Sequence, residues 1–309
     1  MINRGRLTVN NQSSPSPETV YHLAKETNSP QADHLNIIGV SFDGTACFRK
    51  GTSAGPTAIR QVSVDLETYS PYLKMDLSEI DQFYDLGDLA PNANEDVDKQ
   101  WQAIRDNFSS LIASNNETIR FLALGGEHSI SYIFIKRCLE IHPDMVLLHL
   151  DAHADLRDGY QGYHYSHAAV IRRCLDHFGT NHHLAQFGIR SGTKEEYNWM
   201  TANKTLYSDL PKFLGFLEKI PRDRPIYLTL DLDYFDPAFL PGTGTPEAGG
   251  EDFRSFIEIV EILKNKKLVG ADVVELAPNI DPTGNSEVFA AKVVRELILA
   301  FHGEDGHVR

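Results

Sequence analysis

Asp151, His153 and Asp155 stand at alternate positions of one short stretch, and Asp231 and Asp233 repeat that spacing further on. In an extended segment, residues two apart point to the same side, so each run presents its acids and imidazole together. Both runs follow apolar stretches, Met145 to Leu150 and Ile226 to Leu230. Unbroken apolar runs of this length read as strands covered on both faces. A carboxylate at the end of such a strand must be paired, protonated or bound to a cation, because isolated burial costs several kcal/mol. No Lys or Arg lies within either cluster. Four carboxylates and a histidine in this setting point to a metal site. The plainer alternative is that each acid caps the helix or turn that follows it.

Two more strand ends share the pattern. Ile119 to Leu124 leads into Gly125-Gly126-Glu127-His128, and Leu268 to Val274 leads into Glu275. Ligands of open α/β sheets sit at the carboxyl ends of the strands. Four strands delivering Asp, Glu and His to that edge therefore predict one site built from four loops. His149, one alternation earlier and inside its strand, reads as buried structure, not as a ligand.

The elements that must hold these loops follow from the periodicity. Leu35 to Phe42 and Phe83 to Asp88 read as strands; Asn94 to Ser114, Ser129 to Ile141, Phe253 to Leu263 and Asn285 to Ala300 read as helices. Pro56 sits early in another helix, where its missing N–H costs nothing. Residues 1–34 are rich in Ser, Asn, Pro and Thr and read as a flexible N-terminal arm, with a short helix over Glu18 to Glu26. Residues 35–309 form a single domain, since strands and helices alternate throughout.

Gly125 to Ser129, Asp151 to Asp155 and the run Asp231-Leu232-Asp233-Tyr234-Phe235-Asp236-Pro237 resemble the three signature motifs of the ureohydrolases, the arginases and agmatinases. Ser166-His167-Ala168, the run Gly188 to Thr193 and the run Pro241 to Gly250 are most similar to the agmatinase branch. The resemblance spans roughly residues 35–300. It implies a three-layer αβα fold with a largely parallel central sheet. It also implies a binuclear centre in which Asp151 and Asp231 bridge, His128 and Asp155 bind one ion, and His153 and Asp233 bind the other. Six ligands, four of them carboxylates, suit Mn²⁺, with Ni²⁺ or Co²⁺ as substitutes. Two adjacent cations make hydroxide from water at neutral pH, and hydroxide attacks a planar guanidinium carbon.

By the same resemblance Glu275 orients the guanidinium, Thr245 lies close to it, and His167 moves the proton that the departing amine needs. Arg157, a candidate substrate contact, holds the position where arginases carry an Asn, which departs from arginase-type carboxylate recognition, although an arginine there can also bind a carboxylate. The implied reaction releases urea and an amine, most simply agmatine to putrescine, a step of polyamine biosynthesis. Arginine, guanidinobutyrate and guanidine are the alternative substrates, and a single-zinc deacetylase of the related fold is a remoter alternative. Asp158, Glu195, Glu196 and Glu247 are candidate partners for a substrate ammonium.

Composition narrows the partners. The 309 residues carry a formal charge of −14 with a pI near 5.3, the opposite of a nucleic-acid-binding surface. It suits a small cationic substrate. No apolar run reaches the ~20 residues that a membrane span needs. The N-terminus shows no apolar signal region. Cys47, Cys138 and Cys174 have neither metal nor disulfide spacing and fit a reducing cytoplasm. The family likeness further implies a homo-oligomer, a trimer or hexamer, with the N-terminal arm as an interface element.

Overall fold

A computed structural model describes residues 20–113 and 118–303. Nine parallel strands form one sheet. In chain order they are β1 Lys25–Glu26, β2 Leu35–Val40, β3 Phe83–Asp88, β4 Arg120–Gly125, β5 Val146–Leu150, β6 His183–Phe187, β7 Leu206–Tyr207, β8 Ile226–Asp231 and β9 Leu268–Val274. Their order across the sheet is β1-β3-β2-β4-β9-β8-β5-β6-β7. Every residue of β2, β5, β8 and β9 is buried, as a sheet covered on both faces requires.

Successive residues of these strands feed two separate cores. Ile37, Leu122 and Leu148 pack on one face with α1 (Gly55–Ser63), α6 (Leu210–Lys219), α7 (Phe253–Leu263) and α8 (Asn285–Phe301). Ile38, Phe121 and Leu147 pack on the other with α2 (Val97–Leu111), α3 (Ser131–Ile141), α4 (Val170–Leu175) and α5 (Lys194–Asn203). The architecture is therefore three layers, helices on both sides of a parallel sheet, as the apolar runs predicted.

The four strands whose ends carry the acids and histidines are neighbours at the centre of the sheet, in the order β4-β9-β8-β5. Their register is nearly flush. Leu230 pairs with Leu150, Asp231 with Val274, and Val273 with Leu124. Asp151, Asp231, Glu275 and the Gly125-Gly126 turn consequently emerge side by side.

The N-terminal segment differs from its expectation over the described residues; 1–19 lie outside them. Residues 20–26 form a turn and the edge strand β1, which pairs with β3, not a helix. Tyr21 is the cause. Its ring is buried, its O–H donates to the Ala291 carbonyl at 2.8 Å, and its N–H donates to Asp85 at 2.9 Å. These long-range bonds override local helical preference. Asp85 is itself buried and is forked by the Arg60 guanidinium at 2.8 and 2.9 Å, so a buried acid here does have its cation. Ser114, the expected end of α2, lies outside the described residues, and the helix closes at Leu111.

Gly126 has no room for a side chain. A methyl built there would lie 2.3 Å from the Phe42 carbonyl oxygen and 2.6 Å from that of Val40. Neither oxygen can yield, because Gly126 N–H and Glu127 N–H donate to those two carbonyls. Gly126→Ala is expected to cost about 1–3 kcal/mol, read as a lowered urea midpoint. A midpoint equal to that of the parent would contradict this packing.

Candidate binuclear metal centre

The β4, β5, β8 and β9 ends enclose a cavity of about 280 Å³ whose wall includes Cys47, Arg157, Tyr160, His167, Thr245 and Glu275. At its floor the acids and histidines form two groups that share Asp151. Donor atoms of His128, His149, Asp151 and Asp155 lie within 4.8 Å of one another, as do those of Asp151, His153 and Asp233.

Hydrogen bonds behind the cluster decide which atoms are free to coordinate. His128 Nε2 lies 2.8 Å from the Thr229 hydroxyl, and that hydroxyl donates to Asp272 at 2.7 Å. Thr229 has one hydrogen and gives it to Asp272, so it accepts from His128 Nε2–H. The Nδ1 lone pair of His128 is therefore bare. It lies 3.1 Å from Asp151 Oδ2, 3.1 Å from Asp155 Oδ2 and 3.4 Å from Asp231 Oδ2, buried and without a hydrogen-bond partner. A bare nitrogen facing three carboxylate oxygens repels all of them unless a proton or a metal cation lies between.

His149 is a different case. Its Nδ1 faces the Gln186 amide nitrogen at 3.1 Å, and Gln186 Oε1 is occupied by the Thr205 hydroxyl at 2.9 Å. The amide nitrogen donates, so His149 carries its hydrogen on Nε2 and donates it to Asp151 Oδ2 at 2.7 Å. It is a support for Asp151 with no lone pair turned to the cavity.

Asp151, Asp231 and Asp233 follow one rule: one oxygen is tied to backbone and the other turns inward. Asp151 Oδ1 accepts His153 N–H at 2.6 Å, Asp231 Oδ1 accepts Asp233 N–H at 2.9 Å, and Asp233 Oδ1 accepts Ala152 N–H at 3.1 Å. The free Asp233 Oδ2 lies 2.9 Å from His153 Nδ1 and 3.4 Å from the Thr245 hydroxyl. Asp155 departs from plain alternation. Its φ of 52° is left-handed, which breaks the extended run and aims its carboxylate at His128 instead of Asp233. Glu275 also has a left-handed φ, 68°, held by Glu275 N–H donating to the Gly126 carbonyl at 2.9 Å. A bulky residue in that region costs of order 1–3 kcal/mol, and such strain clusters at working sites. Glu275 Oε1 accepts the His128 N–H at 2.7 Å, leaving Oε2 for the cavity.

The charge balance agrees. Among the described ion pairs Asp151, Asp155, Asp231 and Asp233 face only histidines. Burial pushes the Asp155, Asp231 and Asp233 carboxyls up, and repulsion from neighbouring acids adds to it. Burial and Glu127 push Glu275 up. Asp151 is held down despite its burial, because His149, His128 and His153 surround it. His128 and His153 are pulled up by these acids against the effect of burial. Burial, then the charges of His153 and His128, press His167 down to about 4. Its imidazole is thus neutral at pH 7. Burial pushes Glu127 up to about 7, opposed by the Ser129 and Thr45 hydroxyls and the Thr45 N–H.

The six candidate ligands and His167, Glu275, Thr245 and Arg157 all reach this cavity or its floor. Arg157 lines the wall with its guanidinium 4.8 Å from the Tyr160 ring centre. The candidate ammonium partners divide. Asp158 pairs with Arg173. Glu195 is exposed on α5. Glu196 closes the α5 capping box and accepts Leu156 N–H at 3.0 Å. Glu247 stands at the rim, 3.9 Å from His153 Nε2. Sequence reasoning missed Thr45, Tyr160, Thr229 and Asp272. Only Asp272 had a signal, an acid in mid-strand between apolar neighbours.

The comparisons agree with this geometry. The arginase-family profile matches residues 33–300. The chain is similar to the agmatinases of Bacillus cereus, 38% identical over 86% of this chain and 91% of that protein, and of Bacillus subtilis, 38% identical over 90% and 95%. Its fold is similar to the crystal structure of the agmatine ureohydrolase of Thermoplasma volcanium, with a TM-score of 0.74 and 28% identity over 94% of this chain and 98% of that one.

Bound cations should stabilise a fold whose floor gathers four buried carboxyl groups. Saturating Mn²⁺ or Ni²⁺ is expected to raise the Tm of chelator-stripped protein, by the equivalent of about 2.7 kcal/mol at a hundredfold excess over Kd. A Tm that ignores both ions would contradict a metal-holding floor.

Proposed function

The chain belongs to the arginase family, and on that premise we propose that it hydrolyses agmatine to putrescine and urea at a binuclear centre. His128, Asp155, His153, Asp233, Asp151 and Asp231 would hold the two ions. The bare His128 Nδ1 among three carboxylate oxygens is the observation that carries this reading. Mn²⁺ is the proposed metal, since oxygen-rich, nitrogen-poor donor sets suit it. When bound, the two ions supply hydroxide at neutral pH.

The chain's own residues do the rest. Glu275 accepts two guanidinium N–H groups through its cavity-facing oxygen and its neighbour, which orients the planar carbon toward the metal floor. Its strained backbone fixes that direction before substrate arrives. Thr245, bonded to Asp233, borders the same space. The amine that leaves needs a proton, and His167, neutral and beside the cavity, passes it from solvent to the departing nitrogen. The acidic chain attracts the cationic substrate. The proposal includes a homo-oligomer in the cytoplasm; among the described residues no helix is long and apolar enough to cross a membrane.

Arg157 favours a second reading of the substrate. A guanidinium in the cavity wall would pair with the carboxylate of a guanidino acid and repel a distal ammonium. Urea release from agmatine, arginine, guanidinobutyrate and guanidine, each with Mn²⁺ and with Ni²⁺, separates these. Agmatine is expected to lead. A clear preference for guanidinobutyrate would replace it, and release from none would end the ureohydrolase reading.

Glu275→Gln keeps the shape and removes the charge. It should weaken substrate binding by roughly 1.5–3 kcal/mol, about ten- to a hundred-fold, and lower turnover too. His167→Asn should leave metal content intact and lower turnover by about 10²–10⁴-fold. Metal loss from that variant would mean His167 is structural; unchanged turnover would mean another group delivers the proton.

A further inference from the structure

His167 can work as a proton carrier only if one ring nitrogen is bare and faces the cavity. Which one is settled by what holds the other. His167 Nδ1 lies 3.2 Å from the Thr45 hydroxyl oxygen, and the His167 backbone N–H also donates to that oxygen at 3.3 Å. Thr45 comes from a different part of the chain, the turn after β2, and is buried. Its hydroxyl is bonded to Glu127 Oε1, and its N–H donates to Glu127 Oε2 at 2.7 Å. The Ser129 hydroxyl donates to the same Glu127 carboxylate at 2.6 Å. Glu127 is wholly buried, and the hydrogen bonds of its carboxylate run to Thr45 and Ser129, not to the metal-ligand candidates.

Counting hydrogens orders this chain. The carboxylate receives three donors, two hydroxyls and one amide. The single Thr45 hydroxyl hydrogen goes to Glu127, so its oxygen has only lone pairs to offer His167. The nitrogen that meets a lone pair must carry a hydrogen. We propose that Thr45, oriented by Glu127, is a positioning residue that holds His167 in the tautomer protonated on Nδ1, which makes Nε2 the atom that takes up and delivers the proton. The arrangement resembles a carboxylate behind a catalytic histidine, with a hydroxyl inserted between them. It fixes both the ring's orientation and its hydrogen. This inference rests on the role of His167 proposed above.

The test reads the tautomer directly. Nitrogen-15 spectra of histidine-labelled full-length protein, loaded with diamagnetic Zn²⁺ and assigned against His167→Asn, distinguish a bare ring nitrogen from a protonated one. The parent and Thr45→Ser are expected to show a protonated Nδ1 and bare Nε2 at His167. Thr45→Val, which removes the hydroxyl at nearly constant volume, should mix the two tautomers. Glu127→Gln should reverse them: an amide N–H facing Thr45 makes its hydroxyl turn and donate to Nδ1. In Mn²⁺-loaded enzyme, Thr45→Val is expected to lower kcat by about 10–10²-fold, with metal content and KM within a factor of about two and with Thr45→Ser near parent. A bare Nδ1 in the parent would overturn the assignment. So would an unmoved tautomer in both Thr45→Val and Glu127→Gln, the second variant serving if the first fails to fold. If His167→Asn turns over normally, the catalytic role falls while the tautomer result stands, so the two failures are distinguishable.

Discussion

The structure depends on one electrostatic constraint. Asp151, Asp155, Asp231 and Asp233 end or follow central strands of a sheet covered on both faces, and among the described residues their carboxylates pair only with histidines. Elsewhere the fold answers the same problem with guanidinium groups. Asp85 is forked by Arg60, and Glu296 is paired with Arg295. The contrast is informative because the chain evidently can place an arginine beside a buried acid. At the β4-β9-β8-β5 edge it places histidines instead, and His128 Nδ1 there has no hydrogen-bond partner. That choice leaves a cluster that could hold a cation from solution.

Everything around the cluster serves to keep that space in shape. Backbone N–H groups hold one oxygen of Asp151, Asp231 and Asp233 so that the other turns inward. Asp272 acts through Thr229 to keep His128 Nδ1 bare, and Gln186 acts through His149 to steady Asp151. These supports come from neighbouring strands, so sheet register is also ligand geometry. The two left-handed residues, Asp155 and Glu275, show where regular backbone alone could not aim the carboxylate.

Much of this was legible in the sequence because the period of a strand and the cost of a buried charge act locally. Apolar runs ending in Asp, Glu and His gave the strands, their shared edge and the residues that meet there. The parts that were not legible depend on distant partners. Tyr21 is drawn into the core by Ala291 and Asp85, so residues 20–26 form a turn and edge strand where a helix was expected. Thr45 and Glu127 meet only after β2 and β4 pair. The left-handed turn at Asp155 breaks an alternation that spacing alone predicts. Side-chain hydrogen-bond direction, which separates a ligand such as His128 from a support such as His149, has no signature in residue order.

The central claim is that the floor is made for two cations sharing Asp151 and Asp231. Elemental analysis of chelator-stripped protein, resaturated with Mn²⁺ and freed of excess ion, measures this directly. Two ions per chain are expected in the parent, and loss of stable occupancy at both positions in Asp231→Asn, since that acid is proposed to serve both. A parent that saturates at one ion per chain would contradict the account.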